Sequence, residues 1–393
     1  MFLRILSWLY IFACLYNPVL GQTPVRIVEF HGVETQLTTD LEDQFDPSIS
    51  GSQVVYSDRR NADADIYYYD IDLGMEFQVT SGGGDQLLND ISYGQIVYTD
   101  YGSGDAEIYL FTIGGDSVRV TEEKSNQRRP AIYKNLIVYE DDRNGNYDLY
   151  YYYIPSGTET QVTTSSTHQR KAAAYNNSIV YEDYENSNSD IGLYNIITGT
   201  PTIIDDDVNQ DVDPDIGEDI ITFGSNRNSI GDIFYYRMST AEIVPVTKGD
   251  DYERNPAISG DYISFESYVA GDADIWLYSI SLDTAVQVTT DPAEQYLHDI
   301  SGNRIVYTDN RNGNLDIYMF EFVFVGYYCG DANGDGTVNI ADASYIINAI
   351  FFGGNQPDPE EAADANDDGS MNIADASYII NWIFFGGSPP CWS

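Results

Sequence analysis

Two short stretches hold the residue types that bind a metal. Asp331, Asn333 and Asp335 alternate along the chain, Gly336 follows, and Thr337, Asn339 and Asp342 complete a loop; Asp364, Asn366, Asp368, Ser370, Asn372 and Asp375 repeat that order 33 residues later. Every candidate ligand is an oxygen. Side chains at loop positions 1, 3 and 5, a carbonyl at 7, a residue at 9 that works through water and a carboxylate at 12 can together meet the needs of calcium. That hard cation takes about six to eight oxygens at roughly 2.3–2.6 Å. Gly336 and Gly369 serve the sharp turn at position 6. Converging carboxylates repel one another without a cation, so the spacing predicts two calcium ions, one per loop.

The repetition runs past the ligands. DANGDGTVNIADASYIINAIFFGG at 331–354 and DANDDGSMNIADASYIINWIFFGG at 364–387 differ at four of 24 positions: Gly334/Asp367, Thr337/Ser370, Val338/Met371 and Ala349/Trp382. An EF-hand carries Glu at position 12 and helices on both sides. Here position 12 is Asp, and the FVFVGYYCG stretch ahead of the first loop reads as extended. This combination, over about 329–393, resembles a type I dockerin. The resemblance implies a calcium-dependent plug for a cohesin-bearing scaffold or surface partner, able to dock in either of two symmetry-related orientations. Tyr345, Ile346 and Ile350 fall at helical spacing and are expected to pack against Tyr378, Ile379 and Ile383. Ser344, Ile347, Asn348 and Phe351 lie off that stripe yet recur as Ser377, Ile380, Asn381 and Phe384. These, with Ile340-Ala341 and Ile373-Ala374, are the expected docking surface.

The rest of the chain repeats with a period of 41–42 residues from about 33 to 322. An apolar strand ends in an aromatic at Tyr56, Tyr98, Tyr139, Tyr181, Phe223, Phe265 and Tyr307. A second strand opens on an acid before an aliphatic residue, at Asp65, Glu107, Asp148, Asp190, Asp232, Asp274 and Asp316. Turns such as DDRNGNYD separate the two, a third strand carries Gln-Val-Thr, and a fourth, as in PAIS at 256–259, starts each unit. Four short strands per unit predict propeller blades, seven of them, in an all-β fold with a small helical calcium domain at its end. The pattern resembles the TolB-type (PD40) propeller repeat. Unit seven lacks its Gln-Val-Thr strand while Gln36-Leu37-Thr38 stands alone ahead of unit one, so the N-terminal strand is expected to close the ring. Residues 24–30 read as a further strand without an assigned place. The divisions expected are a leader at 1–21, a propeller at 22–326 and a dockerin at 327–393.

Within the repeats the acids at fixed position are read as capping their hairpins or pairing with the turn arginines Arg59, Arg143, Arg227 and Arg311, not as catalytic carboxylates. His31, His168 and His298 have no zinc spacing. No nucleophile elbow or phosphate loop occurs. A polar residue precedes each innermost strand: Gln44, Gln86, Gln127, Gln169, Asp211, Glu253 and Gln295. Arg128, Arg129, Arg170, Lys171 and Arg254 gather beside it, so Gln127, Gln169 and these five bases are the candidate ligand funnel, suited to an anionic polysaccharide.

Composition sets the limits. With 63 Asp+Glu against 18 Lys+Arg the formal charge is −45, which argues against nucleic acid and anionic membranes. Arg4, an apolar run from Ile5 to Tyr16 and Val19-Leu20-Gly21 read as a secretory leader, too short for a membrane span. Ile11-Phe12-Ala13-Cys14 is a degenerate lipobox, leaving a lipid anchor at Cys14 as the alternative to full secretion. Cys329 and Cys391 bracket the calcium repeats and are expected to form a disulfide worth roughly 4 kcal/mol in the chain-entropy model. The function expected is a secreted docking protein whose propeller binds polysaccharide; the alternative is a lyase or glycoside hydrolase carried on the propeller.

Overall fold

The structure is a computed structural model and describes residues 5–7, 26–185, 188–205, 208–228, 230–249, 251–269 and 271–391. The expected leader, Cys14 included, lies outside them except for 5–7. The described chain forms two compact units, one built on Glu34–Glu321 and the other on 26–33 with 322–391.

The first unit is a ring of seven antiparallel blades, six of them four-stranded and following the chain from inner to outer strand. Blade 3 is typical, with Gln127–Tyr133, Leu136–Asp141, Asp148–Tyr153 and Thr158–Gln161 in that order. Second strands are unbroken apolar runs because both of their faces are covered by neighbouring blades. Val54, Val55 and Tyr56 are all fully buried, and Ile137, Val138 and Tyr139 repeat this. The core therefore lies between blades. Val54, Tyr56 and Tyr67 of blade 1, for example, pack with Val306, Ile317 and Met319 of blade 7.

Blade 7 is composite. Gln295–Ser301, Arg304–Asp309 and Asp316–Tyr328 are followed in its sheet by Arg26–Gln36, with Ile5–Ser7 beyond. Leu37 N–H donates to the Ile317 carbonyl at 2.8 Å, and Thr38 Oγ1 accepts Ile317 N–H at 2.8 Å. Blades 1 and 3 use Thr80 and Thr163 in the same way, so Gln36-Leu37-Thr38 is the missing Gln-Val-Thr segment.

A side-chain cluster repeats with it. Arg60, Arg143 and Arg311 lie over Tyr67, Tyr150 and Tyr318 at 4.3, 4.2 and 4.4 Å. Each forks between the Asp that ends the second strand (Asp58, Asp141, Asp309) and a Glu of the outer strand (Glu76, Glu159, Glu34). In blade 1 the stacked arginine is Arg60 rather than Arg59, which lies over Phe45; an irregularity between Asp58 and Asn61 adds to that hairpin. Nor do the recurring acids pair with these arginines. Asp65, Asp148 and Asp316 accept Asn61, Asn144 and Asn312 of their own turns at 2.8–2.9 Å, the capping alternative.

Every innermost strand is bulged at its third residue: Asp46, Leu88, Arg129, Lys171, Asp213, Asn255 and Leu297 have φ between 47° and 58°. A non-glycine residue in this left-handed region costs about 1–2 kcal/mol. Carboxylates of the preceding blade fasten these strands. Glu140, Glu182 and Glu266 accept the backbone N–H of Lys171, Asp213 and Leu297 at 2.9–3.0 Å. Asp90, Asp215 and Asp299 accept those of Ile132, Ile258 and Ile49 at 2.7–2.8 Å. Among the described residues six of the seven blade junctions are fastened in this way. At the remaining one, between blades 1 and 2, Ser48 Oγ meets Asp90 Oδ1 at 2.9 Å. The same hydroxyl lies 2.8 Å from Asp299 Oδ2. A hydroxyl has one proton to donate, so both contacts are hydrogen bonds only when one carboxyl is protonated. Burial raises all three carboxyls, Asp90 and Asp215 to about 7, and the charge of Asp299 adds to both.

The second unit joins 26–33 to 322–328 and then to the calcium repeats. Phe30 packs on Phe324 at 5.0 Å, and Tyr327 donates to Glu29 at 3.2 Å; this ribbon accounts for the strand read at 24–30, as far as it is described. Two helices follow, α1 (Ile340–Phe352) and α2 (Ile373–Phe385), each ended by a glycine at φ near 70°. Their core is small and rich in alanine: Ala332, Ala343, Ile346, Ala363, Ala365, Ala376 and Ile379. Cys329 and Cys391 are disulfide-bonded, with Cα atoms 5.9 Å apart.

Removing 26–38 takes the outer strand from blade 7 and strips Glu34 from Arg311. The truncated protein should aggregate or melt at least roughly 10 °C lower, since it loses a strand's ladder and leaves an open sheet edge. Equal melting temperatures would show that the ring does not need this strand. A second test follows from the raised carboxyls. A pKa raised on folding contributes stability that is complete below the unfolded value of about 3.9 and disappears as pH rises through the folded one. The propeller's melting temperature, measured by calorimetry, should fall by roughly 4 °C or more from pH 5 to pH 8. Asp90→Asn with Asp299→Asn should flatten the slope, and a rising profile would contradict the assignment.

Candidate calcium centres and channel mouth

Both loops are shaped by carboxylates that accept main-chain N–H groups. Asp331 Oδ1 accepts Asp335 N–H at 3.1 Å and its Oδ2 accepts Gly336 N–H at 2.8 Å; Asp364 does the same to Asp368 and Gly369 at 3.1 and 2.7 Å. Asp335 and Asp368 hold the following Thr337 and Ser370 through both N–H and hydroxyl. At position 12, Asp342 and Asp375 bridge loop and helix. One oxygen of each takes Asn333 or Asn366 N–H across the loop, and the other takes Asn339 or Asn372 N–H at the helix start. Asn339 and Asn372 return the bond from their side chains, completing capping boxes. This double duty fixes the start of each helix to its own loop. Burial raises the Asp342 and Asp375 carboxyls, and the neighbouring loop carboxylates push in the same direction.

The donor set fits calcium: carboxylate, amide, hydroxyl and carbonyl oxygens, with no sulfur or imidazole among them. Among the described residues no three His, Cys, Asp or Glu side chains are drawn together into a metal cluster. The loops present their oxygens on a common frame instead, set by backbone hydrogen bonds that leave further lone pairs on each carboxylate.

The helices depart from the expected packing at two positions. Ile350 and Ile383 are each 36% exposed, whereas Ile347 and Ile380 pack on the core. The alanine-rich core is short, so the last turn of each helix overhangs it and exposes Phe351, Phe352, Phe384 and Phe385. Ser344, Asn348, Ser377 and Asn381 are exposed. Tyr345, Ile346, Tyr378 and Ile379 belong to the core or pack against it.

At the centre of the propeller a cavity of about 300 Å³ opens among the bulged residues, lined by Asp46, Arg129, Lys171, Asp213, Asn255 and His298 among others. Of the expected funnel only Arg129 and Lys171 reach it. Gln127 and Gln169 are fully buried, their amides directed at Ser125 and at Thr167 and Asp183, because the first residue of an innermost strand faces into its own blade. Arg128 stacks on Tyr147 at 3.8 Å and pairs with Glu140, which also draws Arg129 and Arg170. Arg254 pairs with Glu266, and Lys171 with Glu182 and Asp213. The bases are therefore balanced by buried glutamates that the sequence reading did not single out. Their only signal was an acid at the penultimate place of otherwise apolar second strands, as in VYED. His298 lines the cavity with its imidazole pKa lowered by burial, His168 accepts Tyr147 N–H and His31 pairs with Glu29.

No curated protein matches the chain. Among solved structures it is similar to an oligogalacturonate lyase in complex with manganese, at TM-score 0.60 and 10% identity over 77% of this chain and 99% of that one. An oligogalacturonate lyase from Vibrio parahaemolyticus gives 0.57 and 10%, over 76% and 98%. The β-propeller domain of the trilobed protease from Pyrococcus furiosus, described as having an open velcro topology, gives 0.57 and 13%, over 72% and 98%. At such identities the likeness is one of fold. Residues 329–384 match the model of the dockerin type I domain. Type I dockerins bind calcium and imply a cohesin partner, and proteins that carry them are typically extracellular; among the described residues no helix is long and apolar enough to cross a membrane. The chain is thus a seven-bladed β-propeller that carries a C-terminal type I dockerin domain.

Proposed function

We propose that this is a secreted docking protein that fixes its propeller to a cohesin-bearing scaffold or surface partner once each dockerin loop holds one calcium ion. The observation that carries this reading is the two-fold repetition of the loop frame and of the exposed residues beyond it. Ile340 and Ile373 are 46% and 47% exposed, Phe351 and Phe384 are 60% and 62% exposed, and Ser344/Ser377 and Asn348/Asn381 recur beside them. Calcium geometry does not require agreement at these places, whereas a partner that docks in either orientation does. Ile347 and Ile380, half-buried on the core, support that surface from beneath.

The propeller's part in the proposal is binding. At the channel mouth Arg129, Lys171 and Asn255 offer donors beside the acceptors Asp46 and Asp213. A lining of mixed sign suits the hydroxyls of a polysaccharide better than a run of like charges. The carboxylates Asp90, Asp215 and Asp299 of the innermost strands are occupied in fastening blades, which favours a binding role over a lyase or glycoside hydrolase.

Calcium titration of the intact protein should give two ions, and Asp331→Ala with Asp364→Ala should abolish both binding and capture by a panel of type I cohesin modules. Ile340→Asp alone should weaken capture by no more than about two-fold, while adding Ile373→Asp should weaken it by at least roughly 100-fold, about 2.7 kcal/mol. Simple additivity of the two losses would mean one docking orientation. Capture that persists in chelator would overturn the reading.

A further inference from the structure

Blade 4 keeps only half of the cluster that blades 1, 3 and 7 share. Tyr181 and Asp183 stand where Tyr139 and Asp141 stand one blade earlier, and both are buried, at 1% and 7% exposed. The remaining parts are replaced: Glu185 holds the place of Arg143, Gly192 that of Tyr150 and Pro201 that of Glu159. Gly192 is paired with Tyr181 across the ladder, and a Cβ there would stand 2.3 Å from Tyr181 Cζ. The tyrosine ring therefore leans over the glycine, toward the place a second ring takes elsewhere, and among the described residues the space of the guanidinium is open. It forms a cavity of about 360 Å³ whose walls include Thr163, Gln169, Tyr181, Asp183, Glu185 and Pro201.

The polar groups left there lack their usual partner. Asp141 and Asp309 receive an arginine N–H at 2.6 and 2.5 Å. Among the described residues Asp183 instead accepts neutral donors, Gln169 Nε2 at 3.3 Å and Glu185 N–H at 3.0 Å, and burial raises its carboxyl. The other blades without the arginine fill this space differently. In blade 2 Gly84 and Gly102 close together, so that a Cβ on Gly84 would stand 2.7 Å from Gly102 Cα. In blade 6 Ser267 replaces the acid and Trp276 fills the ring position.

We propose that the blade 4 cavity binds the guanidinium of an arginine side chain presented by another polypeptide, in the place that the chain's own arginine fills in blades 1, 3 and 7. Asp183 is the fork's acceptor, the Tyr181 ring supplies the aromatic face and Glu185 adds charge at the rim. The net charge of −45 draws such a cation toward the protein.

Ligand-observed NMR on the intact, calcium-loaded protein tests this with N-acetyl-arginine amide, N-acetyl-lysine amide and the neutral isostere N-acetyl-citrulline amide as probes. The arginine probe should bind with a Kd of roughly 1 mM, at least about five-fold tighter than the lysine probe, and the citrulline probe should not bind. Asp183→Asn should weaken the arginine probe at least about ten-fold. Glu185→Arg, at an exposed position, rebuilds the fork from within; it should abolish probe binding and raise the melting temperature, which guards against reading a misfolded variant as a lost site. No binding of the arginine probe by the parent protein would overturn the proposal. So would equal binding of citrulline or lysine, or binding unchanged in either variant.

Discussion

The structure depends on one interaction above others: a carboxylate that accepts a backbone N–H from a different segment. In the propeller it fastens one blade to the next at the bulged innermost strands, where the chain holds seven non-glycine residues at positive φ. Each such bond contributes about 0.5–1.5 kcal/mol, of the same order as the cost of a bulge. In the dockerin the same interaction ties each loop around the point where its oxygens converge. The heavy excess of acid is thus in part structural. A carboxylate can take N–H donors from two strands at once, which no neutral side chain of its length does as well.

The two units use that chemistry to opposite ends. In the propeller the acceptors are buried and their oxygens are occupied, so the ring holds its shape and favours lower pH. In the calcium loops the acceptors keep lone pairs free, and their mutual repulsion is relieved when a cation arrives. Function follows from this division. The ring is a fixed scaffold with a mixed-charge mouth and one blade left unfilled, while the docking surface depends on an ion. Closing blade 7 with the N-terminal segment, through Glu34, Leu37 and Thr38, removes the open edge that a chain ending its seventh unit early would otherwise expose.

Much of this was legible in the sequence. Seven aromatic strand ends at near-constant spacing gave the blade number, and the stray Gln36-Leu37-Thr38 gave the closure, because repeated units need the same hydrogen-bond partners. The calcium ligands were legible because cation geometry dictates both residue type and spacing. The funnel was only half legible. Proximity in sequence placed Gln127 and Arg128 beside Arg129, but side chains alternate along a strand and the bulge turns the third and fourth residues into the cavity. Glu140, Glu182 and Glu266 escaped notice because their role lies across blades, thirty-one residues away from the N–H they hold. Arg60 was mistaken for Arg59 because an irregular hairpin shifts the register by a residue. Ile350 looked like core by helical spacing, yet the alanine-rich core ends before it.

Hydrogen exchange at single residues tests the role of the carboxylates most directly. The amides of Ile49, Ile132, Ile258, Lys171, Asp213 and Leu297 should exchange only when the whole ring unfolds, with protection equal to that of buried amides in the second strands. Replacing Asp90 by Asn should lower protection at Ile132 while leaving Lys171 at its original value. If these six amides exchange as fast as those of the exposed turns, the carboxylates do not hold the blades together.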